Sequence, residues 1–202
     1  MQITADMIKA LRAETNAGVL DCRKALQESN GDHQKALIWL REKGMAMAAN
    51  RSDRAASNGA IEIYSHGGGR VGVMVEVNCE TDFVARSEQF RTLAHEIALQ
   101  IAAGDPRYVR PEDIPAAELE QETERARSRG KDDGKSGAIL DKIVEGILDK
   151  YKDEVALLRQ PYIRDESMTV EQLLMQNVAA IGENIVVRRF ERWELGENTA
   201  QP

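Results

Sequence analysis

The chain has 202 residues, 42% of them apolar, 30% charged and only 4% aromatic. That composition excludes a disordered or fibrous polymer and calls for a folded core built from Ala, Leu, Ile and Val. Residues 1–55 carry nine Lys/Arg against seven Asp/Glu, and residues 56–202 carry 18 against 27. The acidic body argues against nucleic-acid binding driven by phosphate neutralisation. No segment approaches the roughly 18 apolar residues of a bilayer span. The opening residues lack a basic region followed by an apolar stretch, so no secretory signal is expected.

Residues 1–45 read as three short helices. Thr4 is a plausible N-cap with Asp6 in the first turn, and Ile3, Met7, Ile8 and Leu11 share a face. The run Asn16-Ala17-Gly18 stops that helix, and Asp21 is expected to cap a second one carrying Ala25 and Leu26. Ser29-Asn30-Gly31-Asp32 is a stop followed by a new cap, and the third helix carries Ala36, Leu37, Trp39 and Leu40. Helices of this length make a module of the ubiquitin-associated type, a class that usually binds partners. Residues 46–58 read as a helical extension and then a linker.

The period then changes. Ile61 and Ile63 alternate with Ala60, Glu62 and Tyr64. Val71, Val73, Val75, Val77 and Cys79 repeat at period two, a strong strand signal. His66-Gly67-Gly68-Gly69-Arg70 joins the two strands as a hairpin turn. Residues 83–103 read as a helix with Phe90, Leu93, Ala94, Ile97 and Ile101 in one stripe. Gly104-Asp105-Pro106 ends it, and residues 108–111 are extended ahead of Pro111. Residues 115–136 are dominated by charge and predict a solvated helix and a loop. Residues 138–152 predict an amphipathic helix able to pack on it as a protruding antiparallel pair.

Residues 155–158 read as a short strand. Thr169 with Gln172 forms a capping box, and residues 185–190 are a final strand. The whole is α+β: residues 1–55 form the helical module, and residues 56–202 form a core of about three antiparallel strands covered by helices, with the charged helical hairpin.

The sequence holds no catalytic constellation. No Gly-rich loop leads into Lys-Ser or Lys-Thr, and neither GxSxG nor HExxH occurs. Gly67-Gly68-Gly69 is a flexible turn. His95 reads as a packed core histidine and His33 as exposed. Cys22 and Cys79 belong to no CxxC pair, and the histidines lack metal-ligand spacing, so reduced, buried thiols in a cytoplasmic protein are expected. No enzyme activity, metal or cofactor is predicted. One segment stands out. Asn78-Cys79-Glu80-Thr81-Asp82-Phe83-Val84-Ala85-Arg86 joins the strongest strand to a helix, where loops carry function. Thr81 and Asp82 serve as helix caps, and on a continuous helix Phe83 shares a face with Phe90, so core packing accounts for it.

The string from Glu76 through Thr81-Asp82-Phe83-Val84 to Ala85 resembles the signature of the translation elongation factor Ts family. So do Leu11-Arg12-Ala13-Glu14-Thr15-Asn16-Ala17-Gly18-Val19-Leu20-Asp21-Cys22 and Ile181-Gly182-Glu183-Asn184-Ile185-Val186-Val187-Arg188-Arg189. The three lie in the family's order over essentially the whole chain. The resemblance implies guanine nucleotide exchange on elongation factor Tu, the GTPase that delivers aminoacyl-tRNA. It implies a first module on the GTPase domain through Arg12, Val19 and Leu20. It also implies an intruding segment, Thr81, Asp82, Phe83 and Val84, beside the bound Mg²⁺, and a contact at His66 with a later domain of the partner. Longer members carry two related core halves and this chain has room for one, so it resembles the short form and a homodimer is expected. The family often has methionines where Val19 and Leu20 stand, and the apolar character survives. The alternatives are a non-catalytic adaptor using the helical module, and a nucleic-acid-binding factor using the slightly basic N-terminus.

Overall fold

The computed structural model describes residues 3–15 and 17–197. Asn16, in the expected first stop, lies outside the described residues. Three helices open the chain: α1 (Ala5–Thr15), α2 (Val19–Glu28) and α3 (His33–Ala49). The Thr4 hydroxyl accepts the Met7 amide at 3.3 Å, and Asp32 caps α3 by accepting the Lys35 amide at 3.1 Å. Leu11, Cys22, Ala25, Leu26, Ala36 and Leu40 form a core of their own. That core takes one residue from α1, three from α2 and two from α3.

Two long strands follow, β1 (Asn58–His66) and β2 (Val71–Cys79), paired antiparallel across the glycine turn. After β2 come α4 (Asp82–Ala85), α5 (Glu88–Gly104), α6 (Ala116–Asp132) and α7 (Gly137–Val155). A two-stranded ribbon of β3 (Pro161–Tyr162) and β4 (Asp165–Thr169) leads into α8 (Val170–Ile181), and β5 (Ile185–Glu194) closes the sheet. The sheet order is β1-β2-β5, all antiparallel. Phe90, Leu93, Ala94, Ile97 and Ile101 of α5 pack on Val73, Val75, Val77 and Val187, and Val170 and Val178 of α8 join the same core. The second half of α3 packs along α8, so the helical module leans on the body.

The charged pair α6–α7 has a small core of its own, Ala126, Leu140 and Val144. At its root the Tyr108 hydroxyl donates to Glu118 at 2.8 Å, and Tyr151 and Arg107 meet the same carboxylate.

Several expectations change. Helix α2 begins at Val19 with Gly18 as its cap residue, so Asp21 lies in the first turn and does not cap it. Its carboxylate instead pairs with Lys43 of α3 at 2.5 Å. Residues 157–159 form a 3-10 turn, and only Ala156 bridges to Tyr108; the buried, compact Leu157 and Leu158 serve the core without a strand. The β3–β4 ribbon is too short for period-two reading. His95 is exposed and pairs with Glu62 at 3.0 Å, because its turn of α5 overhangs the edge strand. His33 is half-buried against Glu14 at 2.8 Å. In β1 the inward residues are Ala60 and Tyr64, while Ile61 and Ile63 face outward. Their register partners on β2, Glu76 and Met74, lie on the same outer face.

Candidate functional site

The segment after β2 turns on two consecutive caps. The Thr81 hydroxyl accepts the Val84 amide at 3.4 Å and starts the single turn α4. The Ser87 hydroxyl accepts the Phe90 amide at 3.3 Å and starts α5, while donating to the Val84 carbonyl at 2.8 Å. Each serine or threonine satisfies donors that a helix start leaves open. The expected helix over residues 83–103 is therefore broken at Arg86 and Ser87. The break changes the helical phase, so Phe83 and Phe90 do not share a face. Phe90 is 0% exposed, whereas Phe83 is 82% exposed. The core role that helical spacing gave Phe83 does not hold.

Within this loop Ala85 is buried and anchors the turn, Val84 packs partly against the core, and Thr81 and Asp82 are exposed. Asp82 pairs with Arg86 at 3.1 Å. Below them Cys79 is buried, its Sγ donating to the Thr81 carbonyl at 3.2 Å. Burial first, then the nearby Glu183 charge, pushes the Cys79 thiol above its ordinary pKa, so it stays protonated and inert. Cys22 is likewise free and buried.

The root of the loop is tied to the far end of the chain. Glu183 accepts hydrogen bonds from the Glu80 amide, the Thr81 amide and the Thr81 hydroxyl. These contacts were not legible in the sequence; the string from Ile181 to Arg189 was visible as a motif but carried no assigned task.

The other residues singled out lie elsewhere. Val19 and Leu20 occupy the first turn of α2, with Leu20 79% exposed, and Arg12 is exposed in the last turn of α1. They flank the turn between α1 and α2. His66 is exposed at the end of β1, its Nδ1 2.9 Å from the Tyr64 hydroxyl. The register pairs His66 with Val71 and Asn58 with Cys79, so His66 and the Thr81 loop sit at opposite ends of the hairpin. At about 3.3 Å per residue they are roughly 25 Å apart along it. One chain does not bring them together.

Among the described residues, no group of three or more His, Cys, Asp and Glu side chains could hold a metal, and no helix is long and apolar enough to cross a membrane. What the site offers is shape: an exposed aromatic ring beside a carboxylate on a braced turn.

The family described as Elongation factor TS matches residues 4–197. The chain is 53% identical over 197 residues to elongation factor Ts of Coprothermobacter proteolyticus, covering 98% of this chain and 100% of that one. It is 51% identical over 199 residues to the same factor of Carboxydothermus hydrogenoformans, covering 98% and 92%. It is 52% identical over 195 residues to that of Caldanaerobacter subterraneus subsp. tengcongensis, covering 96% and 98%. With its three motifs in order and a match along nearly its whole length, the chain belongs to the elongation factor Ts family.

Proposed function

We propose that this chain is a guanine nucleotide exchange factor for elongation factor Tu, working in the cytoplasm without performing chemistry of its own. The observation that carries the reading is Phe83, 82% exposed at the tip of a doubly capped turn. Leaving such a ring in water forgoes about 1.5–3 kcal/mol of burial. An adaptor that used only the helical module would leave that exposure without a task.

In GTPases of this type, P-loop groups and Mg²⁺ hold the phosphates. Phe83 and Asp82, with Thr81 and Val84 behind them, enter beside that site and displace its supporting side chains. Each 1.4 kcal/mol taken from the GDP complex accelerates release about tenfold where it falls on the off-rate. Linkage makes the effect reciprocal: bound nucleotide weakens the factor as much as the factor weakens nucleotide, so incoming GTP expels it.

Residues 1–55, a module of ubiquitin-associated type, dock on the GTPase domain through Arg12, Val19 and Leu20. Residues 56–202 supply exchange and dimerisation. The reading of a homodimer is supported by the outer face of the sheet, where Ile61, Ile63, Met74 and Trp193 stand exposed on three adjacent strands. A second copy on that face gives each GTPase the Thr81 loop of one subunit and His66 of the other.

The test is release of a fluorescent GDP from elongation factor Tu, with and without this chain. Strong acceleration is expected, and none would overturn the reading. Val19→Asp is expected to weaken binding while leaving the thermal midpoint nearly unchanged; a fall of more than about 5 °C would make Val19 structural instead. Light scattering of the complex should give two chains with two GTPase molecules. A fully active one-to-one complex at micromolar concentration would sink the dimer.

A further inference from the structure

The third motif, Ile181 to Arg189, has a place in the fold but no part in the reading above. Helix α8 ends at Ile181, and Gly182 reverses the chain at φ 89°, a left-handed conformation that favours glycine. The next residue, Glu183, is half-buried beneath the Thr81 turn, 103 residues from Glu80 along the chain.

Its carboxylate satisfies three donors at once. Oε2 accepts the Glu80 amide at 3.1 Å and the Thr81 amide at 3.0 Å, and Oε1 accepts the Thr81 hydroxyl at 2.7 Å. The third contact fixes more than a distance. A threonine hydroxyl has one proton and two lone pairs. Committing the proton to Glu183 turns a lone pair toward the Val84 amide, which is the cap that starts α4. The direction in which α4 carries Asp82 and Phe83 therefore follows from Glu183. The bracing is reciprocal: the Asn184 amide donates to Glu80 Oε1 at 2.7 Å, and the buried Asn184 side chain donates to the carbonyls of Arg54 at 2.8 Å and Ser52 at 3.3 Å. The linker after α3, the loop root and the start of β5 are thus knotted together.

We propose that Glu183 is the positioning residue of the exchange loop: it orients the Thr81 cap and so aims Phe83. This rests on the exchange reading of Phe83. A wedge acts only if it arrives rigid, because any freedom it keeps in the free protein must be lost on insertion.

The experiment titrates each full-length variant against elongation factor Tu loaded with fluorescent GDP. It reads the maximal release rate and the half-saturating concentration separately, with circular dichroism melting on the same preparation. Glu183→Ala is expected to lose about tenfold or more in maximal rate, a change worth 1.4 kcal/mol, with little change in half-saturation. Glu183→Gln is expected to recover only part of it: its amide oxygen accepts the two backbone donors, but its NH₂ cannot accept the Thr81 proton that orients the cap. Amide hydrogen exchange at Glu80 and Thr81 should rise in the alanine variant only. That measurement, made with Glu183→Gln as reference, still decides if Glu183→Ala is partly unfolded: a loss of activity that merely tracks the unfolded fraction overturns the proposal. Phe83→Ala runs alongside. If it fails while Glu183→Ala works at full rate, the proposal falls and the exchange reading stands. If Phe83→Ala itself works normally, the exchange reading falls.

Discussion

Phe83 and Phe90 stand seven residues apart in one sequence, and straight helical spacing would put them on one face. In the fold one ring is at the surface and the other is in the centre of the core. Ser87 makes the difference. By capping α5 it ends α4 after a single turn and resets the helical phase between the two rings. A cap worth about 1 kcal/mol thereby reassigns a side chain from core to surface.

The two rings should respond oppositely to truncation. Phe90→Ala is expected to cost about 3–5 kcal/mol of stability, seen as a fall of about 10 °C or more in the melting temperature. Phe83→Ala should leave the midpoint within a few degrees and reduce stimulated GDP release by about 30-fold, the size of a 2 kcal/mol anchor. A variant of Phe83 that melts as early as that of Phe90 would erase the contrast.

Ser87→Ala sharpens the same comparison at lower amplitude. It removes the acceptor for the Phe90 amide and the donor to Val84, and should cost about 1 kcal/mol in urea denaturation, with a partial loss of exchange. Increased helix content at unchanged stability would mean that α4 and α5 simply fuse, and that the cap is not what separates them. The smallest effect is expected for Arg86→Ala. Its pair with Asp82 is exposed on both sides, so stability should move by no more than about 0.5 kcal/mol. A larger loss would assign the break to the ion pair instead of the hydroxyl.

The same contrast runs through the whole chain. Period two in residues 71–79, the cap at Asp32 and the capping box at Thr169 are local rules, and the fold obeys them. The β1–β2 hairpin register and the three helices of the first module follow from side chains close together in the chain. The loop of residues 81–84 was legible too, as a motif and as a strand-to-helix joint. Its exposure was not, because the competing helix over residues 83–103 satisfies the same periodicity.

Other features were decided by partners distant in sequence. Asp21 is a sound cap by type, but Lys43 of α3 claims its carboxylate and α2 starts three residues earlier than an Asp21 cap would place it. Ile61 and Ile63 alternate as core residues do, yet α5 covers the other face of the sheet, where Ala60 and Tyr64 point. The sequence by itself determined most of the elements, their order, the family and the Thr81–Val84 motif, because caps, periods and motifs act over a few residues. Only the tertiary structure decided which face of the sheet stays bare and that Glu183 holds Thr81. Those outcomes depend on which groups meet across a hundred residues, and no local pattern encodes such a meeting.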